Sequence, residues 1–355
     1  MAAPDFVISN PITECEPVEP GLKRRVADFW ESASCGETYA KGDNLAERMR
    51  ALAEARYSLE PYLAAFADFA SGKDRDVLEI GVGMGCDHAQ WASASPRSLH
   101  GVDLTERAIQ FTADHLELRG LSSQLQSADA ECLPFADDSF DLVYSWGVLH
   151  HSPDTQRAIR EVRRVLRPGG RAKVMIYHTW SITGYMLWLR YALLAGRPLR
   201  SLADIYFEQL ESPGTKAYTV AEGRALFDGF ATADVRSCLN HGDLLEGGVG
   251  KRHGGPLLSI AKRIWPRWLI RRLLAGHGTY LLIDATKKST AARASSLRAS
   301  ESAIATARGP STAAARSAKA AGRHPTGSRP RRPGPPTMGS RRRFPRRRQR
   351  AGEAA

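Results

Sequence analysis

The sequence predicts a doubly wound α/β domain near the middle of the chain, and three observations carry that expectation. Short apolar runs alternate with helix-like stretches from Asp76 to His178. The first run, residues 77–80, ends in a loop with glycine at alternate positions, Gly81, Gly83 and Gly85. After His178 the alternation gives way to Trp-, Tyr- and Leu-rich stretches before two late strand-like runs. Strands joined through helices imply right-handed crossovers, hence a parallel sheet covered on both faces.

Residues 1–72 are expected to form an N-terminal segment. Within it, residues 45–70 are rich in Ala, Leu, Glu and Arg, carry Tyr57, Tyr62, Phe66 and Phe69, and predict helix broken near Pro61. The core is placed at 73–180. Residues 77–80 are a short apolar run stopped by glycine, as in a buried strand, and residues 99–104 make the second strand. Thr105 then caps a helix reaching Arg119, where Gly120 suits the position just past the helix end. Residues 141–146 form a further strand. Asp154 caps a helix whose Ala158, Ile159, Val162, Val165 and Leu166 share one face. Pro168-Gly169-Gly170 is expected to end it, with residues 172–177 returning as strand.

Residues 181–288 are read as cap insertions plus the last two strands. Helix candidates lie at 185–195, 202–210 and 220–227, strands at 235–239 and 280–285, and a basic, aromatic helix candidate at 261–274. From Ser289 to the end, fifteen Arg and one Lys face two Glu, and Ala, Ser, Pro and Gly fill most of the rest. Such a segment buries too little apolar surface to offset its ordering entropy, so 289–355 is expected to be a disordered tail. The chain's net charge of +12 therefore belongs to the tail, and residues 1–288 are slightly acidic. Any nucleic-acid contact is expected only through that tail.

The five cysteines are scattered without CxxC spacing, which argues against a disulfide framework or structural zinc and points to a reducing, cytoplasmic setting. The N-terminus shows no basic segment followed by an apolar run, and the most apolar stretch, residues 185–195, is too short to span a bilayer.

The chemistry begins at Val77-Leu-Glu79-Ile-Gly81-Val-Gly83-Met-Gly85-Cys-Asp87. A strand running into alternate glycines lets the backbone turn tightly and approach a ligand without Cβ obstruction. Cys86 replaces the last glycine of the GxGxxG dinucleotide fingerprint. Asp103, eighteen residues after Gly85, ends the second strand, where a carboxylate can accept from both hydroxyls of a ribose. Asp129 follows the third strand, placed to accept from an exocyclic amine of adenine.

With Leu166-Arg-Pro-Gly-Gly170 and the stretch from Asp141 to His151, these ordered motifs resemble the S-adenosylmethionine-dependent methyltransferases related to those of ubiquinone and menaquinone biosynthesis. The resemblance covers under a third of the chain. It implies a Rossmann-like, seven-stranded sheet, mostly parallel with an antiparallel last strand, and S-adenosylmethionine as cofactor. It further implies that Glu79, Gly81, Gly83 and Gly85 lie against the methionine part of that cofactor. Asp103 holds the ribose with Leu104 beside it, Asp129 and Ala130 flank the adenine, and Trp146 lines the methionine side. The extended N-terminal motif of quinone-ring methyltransferases is not found.

Methyl transfer from a sulfonium needs alignment and exclusion of water, and no metal. His150 and His151, after the fourth strand, are candidate general bases for an oxygen nucleophile, and His178 is a weaker one. Adjacent histidines without a third ligand at chelating spacing do not suggest a metal site. Ligands bind beyond the carboxyl ends of parallel strands, so the insertions at 179–218 and 241–277 are expected to cap the cofactor pocket. Their aromatic and Arg-rich content suits a small, hydrophobic or lipid-like acceptor methylated at oxygen or carbon, and peripheral contact with a membrane. Two alternatives are protein or RNA methylation guided by the tail, and a binding protein without catalysis.

Overall fold

The computed structural model describes residues 20–246 and 263–289. The N-terminal part is helical: α1 (Pro20–Ser32), α2 (Leu45–Leu59) and α3 (Leu63–Ala67). Asn44 caps α2 by accepting from the Glu47 N–H, and the helix stops before Glu60-Pro61, because proline disfavours helical conformation in the residue preceding it.

The core alternates as expected, through β1 (Asp76–Ile80), α4 (Cys86–Ser93), β2 (Ser98–Asp103), α5 (Glu106–Leu118), β3 (Gln124–Ser127), β4 (Phe140–Trp146), α6 (Thr155–Val165) and β5 (Leu166–Tyr177). After α7 (Ile182–Trp188), α8 (Leu202–Ile205) and α9 (Val220–Leu226) come β6 (Thr232–Cys238) and β7 (Tyr280–Thr286). The seven strands lie in the order β3-β2-β1-β4-β5-β7-β6. The first five are parallel, and β7 runs antiparallel to both β5 and β6. The order reverses between β1 and β4, which opens a crevice at their carboxyl ends.

Side chains alternate across the sheet, and both faces are covered. Leu78, Ile80 and Val143 pack on one face with Ile159 and Val162 of α6. Val77, Leu142 and Tyr144 pack on the other with Leu63 of α3 and Trp91 of α4. Full burial of each large apolar side chain contributes about 1.5–3 kcal/mol, which is why the central strands tolerate so little polarity. The expected caps are present: Thr105 accepts from the Ala108 N–H and Asp154 from the Arg157 N–H.

Three expectations need correction. Pro168-Gly169-Gly170 does not separate helix from strand; the strand already starts at Leu166 and the pairing with β4 slips between Phe140 and Leu142. The residues sit in an irregular stretch, where Gly169 adopts φ 81° and its N–H donates to the Lys287 carbonyl, so strand pairing absorbs the turn residues. The helix expected over 261–274 is resolved as Arg267–Leu273, entered from Pro266, whose carbonyl accepts from the Ile270 N–H; residues 261 and 262 lie outside the described residues. Among the cysteines Cys132 is disulfide-bonded, while Cys35, Cys86 and Cys238 are free thiols. The expected tail, from residue 290 onward, also lies outside the described residues.

The insertions build small cores of their own. One joins Leu187, Ala192, Ile205 and Tyr206, and another joins Ile182, Leu244 and Ile270. Asp243, fully buried, ties them to the sheet: its carboxylate accepts from the N–H and hydroxyl of both Thr183 and Thr279 and from the Asn240 N–H. No described helix is long and apolar enough to cross a membrane.

Candidate active site

A cavity of about 690 Å³ opens at the carboxyl ends of β1, β2 and β4, within the usual range for small-molecule sites. The glycine loop forms its floor. Gly81 has φ +83°, and a Cβ there would lie 2.1 Å from Val148 Cγ2. Gly83 has φ +55° with nothing within 4 Å of where a Cβ would sit, so its bare backbone faces open space. This is a cradle that admits a ligand against the main chain. Gly85 is different from the expectation: it does not line the cavity but starts α4, its missing Cβ backing onto Thr112 at 3.0 Å.

Asp103 ends β2 beside this loop. One carboxylate oxygen accepts from the Gly83 N–H at 3.1 Å, the other from the Thr105 N–H at 3.0 Å and hydroxyl at 2.8 Å. Burial raises its pKa, and these donors partly offset the rise. Three of the four carboxylate lone pairs are thus used, and the one left, on the oxygen bonded to Gly83, can take a further donor. Leu104, Ala130 and Trp146 line the same cavity. Asp129 does too, but its carboxylate is bridged by Lys23 of α1, which also reaches Glu131 at 2.8 Å.

Glu79 lines the cavity from a buried position, with Oε2 2.9 Å from His88 Nδ1. The Ser123 hydroxyl donates to the Leu99 carbonyl, so it can only accept from His88 Nε2 at 2.8 Å. His88 therefore carries its fixed proton on Nε2, and a single proton is shared between Glu79 and His88 Nδ1. Burial favours the uncharged arrangement, raising the carboxyl and lowering the imidazole to about 3.

The two histidine candidates separate. His151 lines the cavity; its Nδ1 contacts the Ser212 hydroxyl at 2.8 Å and the Thr215 hydroxyl at 3.1 Å. Nδ1 thus meets both hydroxyls, while Nε2, without a hydrogen-bond partner among the described residues, faces Glu211 Oε2 3.4 Å away. His150 lies fully buried behind it, its ring 4.0 Å from that of Tyr177, with no hydrogen-bond partner on either nitrogen among the described residues. Burial holds His150 well below the usual histidine range, so it is a neutral core residue. His178 also turns away, with Nδ1 3.0 Å from the Gly278 carbonyl.

The cover over the cavity is the largest departure from expectation. Among the described residues, the insertions contribute Leu210, Glu211 and His241 to its lining. Lys23, Val26, Phe29 and Trp30 of α1 and Leu52, Arg56 and Leu59 of α2 cover it instead, together with residues 32–39. Arg56 pairs with Asp87, which also accepts from the hydroxyls of Tyr57 and Tyr144. None of these was singled out from the sequence. The helical spacing of Leu52, Arg56 and Leu59 is the one local signal that marked a shared face.

A reversed seventh strand on a doubly wound sheet, a glycine cradle and an acid closing the next strand together define a class I S-adenosylmethionine-dependent methyltransferase domain. Comparison with known proteins agrees: residues 78–174 match the family model described as a methyltransferase domain. The chain is 34% identical over 125 residues to the methyltransferase GfsG of Streptomyces halstedii, covering 35% of this chain and 44% of that one. It is 36% identical over 122 residues to the 27-O-demethylrifamycin SV methyltransferase of Amycolatopsis mediterranei, covering 34% and 44%. The chain thus spans under half the length of these curated relatives. The solved structure of the YcgJ protein from Bacillus aligns over 65% of this chain and 99% of that one, at 18% identity and a TM-score of 0.43.

Proposed function

We infer that the protein transfers a methyl group from S-adenosylmethionine to a small-molecule acceptor with an apolar body, at oxygen or carbon. The observation that carries this is one continuous cavity holding both the Gly83–Asp103 cradle and the free Nε2 of His151. Bound S-adenosylmethionine supplies a methyl carbon made electrophilic by its sulfonium, whose sulfur takes the bonding pair as the new bond forms. Gly81 and Gly83 admit the cofactor to the main chain, Asp103 and Leu104 hold the ribose side, and Asp129 and Ala130 flank the adenine. Glu79 and Trp146 bound the methionine side. For a hydroxyl acceptor, His151 Nε2 takes the proton and Glu211 stabilises the imidazolium. Val26, Phe29 and Trp30 exclude water. The relative named for a 27-O-demethyl acceptor supports oxygen as the methylated atom.

The test is transfer of labelled methyl from S-adenosylmethionine to a cell extract, with products partitioned between organic and aqueous phases. Label in small molecules supports the proposal. Label in protein or RNA that disappears on removal of residues 289–355 supports the tail-guided alternative, and cofactor binding without any transfer supports a non-catalytic role.

A second reading concerns location. Trp268, Ile264 and Leu273 are 66–74% exposed, with Arg263, Arg271 and Arg272 interleaved in the sequence. An aromatic, apolar and basic face of this kind supports peripheral contact with an anionic bilayer. Co-sedimentation with phosphatidylserine vesicles, lost in Trp268→Ala, tests it.

A further inference from the structure

The end of the cavity away from the glycine loop has a chemistry of its own. Glu60, just past α2, is 5% exposed. Its Oε1 accepts from the Tyr280 hydroxyl at 2.7 Å, while Oε2 is buried with no hydrogen-bond partner among the described residues. His241 Nδ1 stands 3.7 Å from Glu60 Oε1 and is likewise unpartnered. Glu211 repeats the pattern, its Oε2 accepting from the Tyr177 hydroxyl at 2.8 Å. The rings of Tyr177 and Tyr280 stack 9° from parallel with centroids 5.9 Å apart, and Trp146 meets Tyr280 edge-on. An aromatic wall thus holds a carboxylate at the hydroxyl of each of two stacked tyrosines.

The cations lining the cavity are committed elsewhere. Arg56 donates through two nitrogens to Asp87, and Lys23 bridges Asp129 and Glu131. Among the described residues, no Lys or Arg pairs with Glu60 or Glu211; their ion-pair and hydrogen-bond neighbours are His241, His151, Tyr280 and Tyr177, and Arg56 acts on Glu60 only at longer range. A buried carboxylate oxygen without a donor is costly, and a ligand bringing N–H groups and positive charge removes that cost. The aromatic faces add attraction for the same charge.

We propose that this end is the acceptor subsite and that it selects a small molecule carrying a protonated amine on an apolar body, with Glu60 holding the ammonium group. The proposal rests on the methyltransferase reading and narrows it. A carboxylate- or phosphate-bearing acceptor is disfavoured by the same geometry, because its charge would face Glu60 and Glu211.

Benzylamine, benzyl alcohol and benzoate share a ring and differ in charge, and their binding to the full chain can be read from quenching of tryptophan fluorescence. Titrations run with and without S-adenosylhomocysteine, whose own binding is measured first by calorimetry. Benzylamine is expected to bind at least about tenfold tighter than benzoate, the size of one desolvated charge-assisted contact. In Glu60→Gln, which keeps an oxygen for Tyr280, that preference should fall to within about threefold while benzyl alcohol is little changed. Benzoate binding as tightly as benzylamine, or an undiminished preference in a folded Glu60→Gln protein, overturns the subsite. Should Glu60→Gln not fold, Glu211→Gln is read the same way, and an unaltered preference there counts against the proposal. Failure of S-adenosylhomocysteine to bind refutes the methyltransferase reading instead, and the cofactor-free titrations still decide the subsite.

Discussion

Replacing Asp103 by Ala tests the cofactor site most directly. The side chain accepts three internal hydrogen bonds, from the Gly83 N–H, the Thr105 N–H and the Thr105 hydroxyl. It also has one lone pair left, on the oxygen bonded to the Gly83 N–H, for a ribose hydroxyl. A hydrogen bond to a charged group contributes about 1.5–3 kcal/mol, so losing one lowers affinity by about 10- to 100-fold. The internal bonds matter to the loop as well, and their loss confuses affinity with folding. Thr105→Val separates the two. It deletes the hydroxyl that donates to Asp103 and accepts from the Ala108 N–H, costing about 1 kcal/mol of stability, but leaves the Asp103 carboxylate in place. Calorimetric titration with S-adenosylhomocysteine should therefore show Asp103→Ala binding at least about tenfold more weakly. Thr105→Val should remain within about threefold of the parent, because no ligand contact is removed. A folded Asp103→Ala protein that binds as well as the parent would refute the assignment of Asp103 to the ribose.

Three further outcomes are expected. His151→Asn should lower kcat by about 10²–10⁴ on a hydroxyl acceptor while leaving S-adenosylhomocysteine affinity unchanged; equal loss of both would make His151 a structural residue. His115, His150 and His178 are buried and held below the usual histidine range, so the unfolded chain takes up protons that the folded chain does not. Stability is complete above about pH 6.5 and falls as pH drops below it, by up to about 4 kcal/mol per unit for three histidines, measurable as urea midpoints across that range. Lys23→Met should speed release of S-adenosylhomocysteine about threefold to tenfold, read by stopped-flow tryptophan fluorescence, since a partly buried bridge is worth about 1 kcal/mol. An unchanged release rate would remove α1 from control of the cofactor.

The parts legible in the sequence are those whose chemistry is local. Gly81 and Gly83 reveal themselves because a loop after a strand needs left-handed backbone there, and Asp103 because it ends the next strand. The residues that were missed meet only through tertiary folding. Glu60 meets Tyr280 220 residues away and Lys23 meets Asp129 106 residues away, and no spacing rule connects such partners. Pro168-Gly169-Gly170 misled for a different reason: those residues favour a turn locally, yet neighbours in β4 and the chain after β7 supply the pairing that keeps the strand going. His150 and His151 are indistinguishable in sequence; both are buried, and only the fold puts His151 on the cavity wall with His150 behind it.

Among the described residues, the cover over the cavity comes mainly from the N-terminal helices and not from the insertions that topology pointed to. The segments after β5 and β6 do leave the sheet at its carboxyl edge, but Asp243 draws them together and their own clusters hold them beside the cavity. That leaves the crevice open to the N-terminal helices, which arrive from the other side of the chain. α1 then touches both ends of the site: Lys23 bridges Asp129 at the adenine side, and Trp30 packs edge-on against His151, ring centroids 5.2 Å apart. The two contacts are seven residues apart, two turns of one helix, so a rigid displacement that frees one strains the other. On the proposed methyltransferase reading, α1 would couple entry of the acceptor to retention of the cofactor. The coupling also explains why Lys23 rather than solvent occupies Asp129: a closed α1 needs a partner at its first turns, and the acidic pair Asp129 and Glu131 is the one the adenine segment presents.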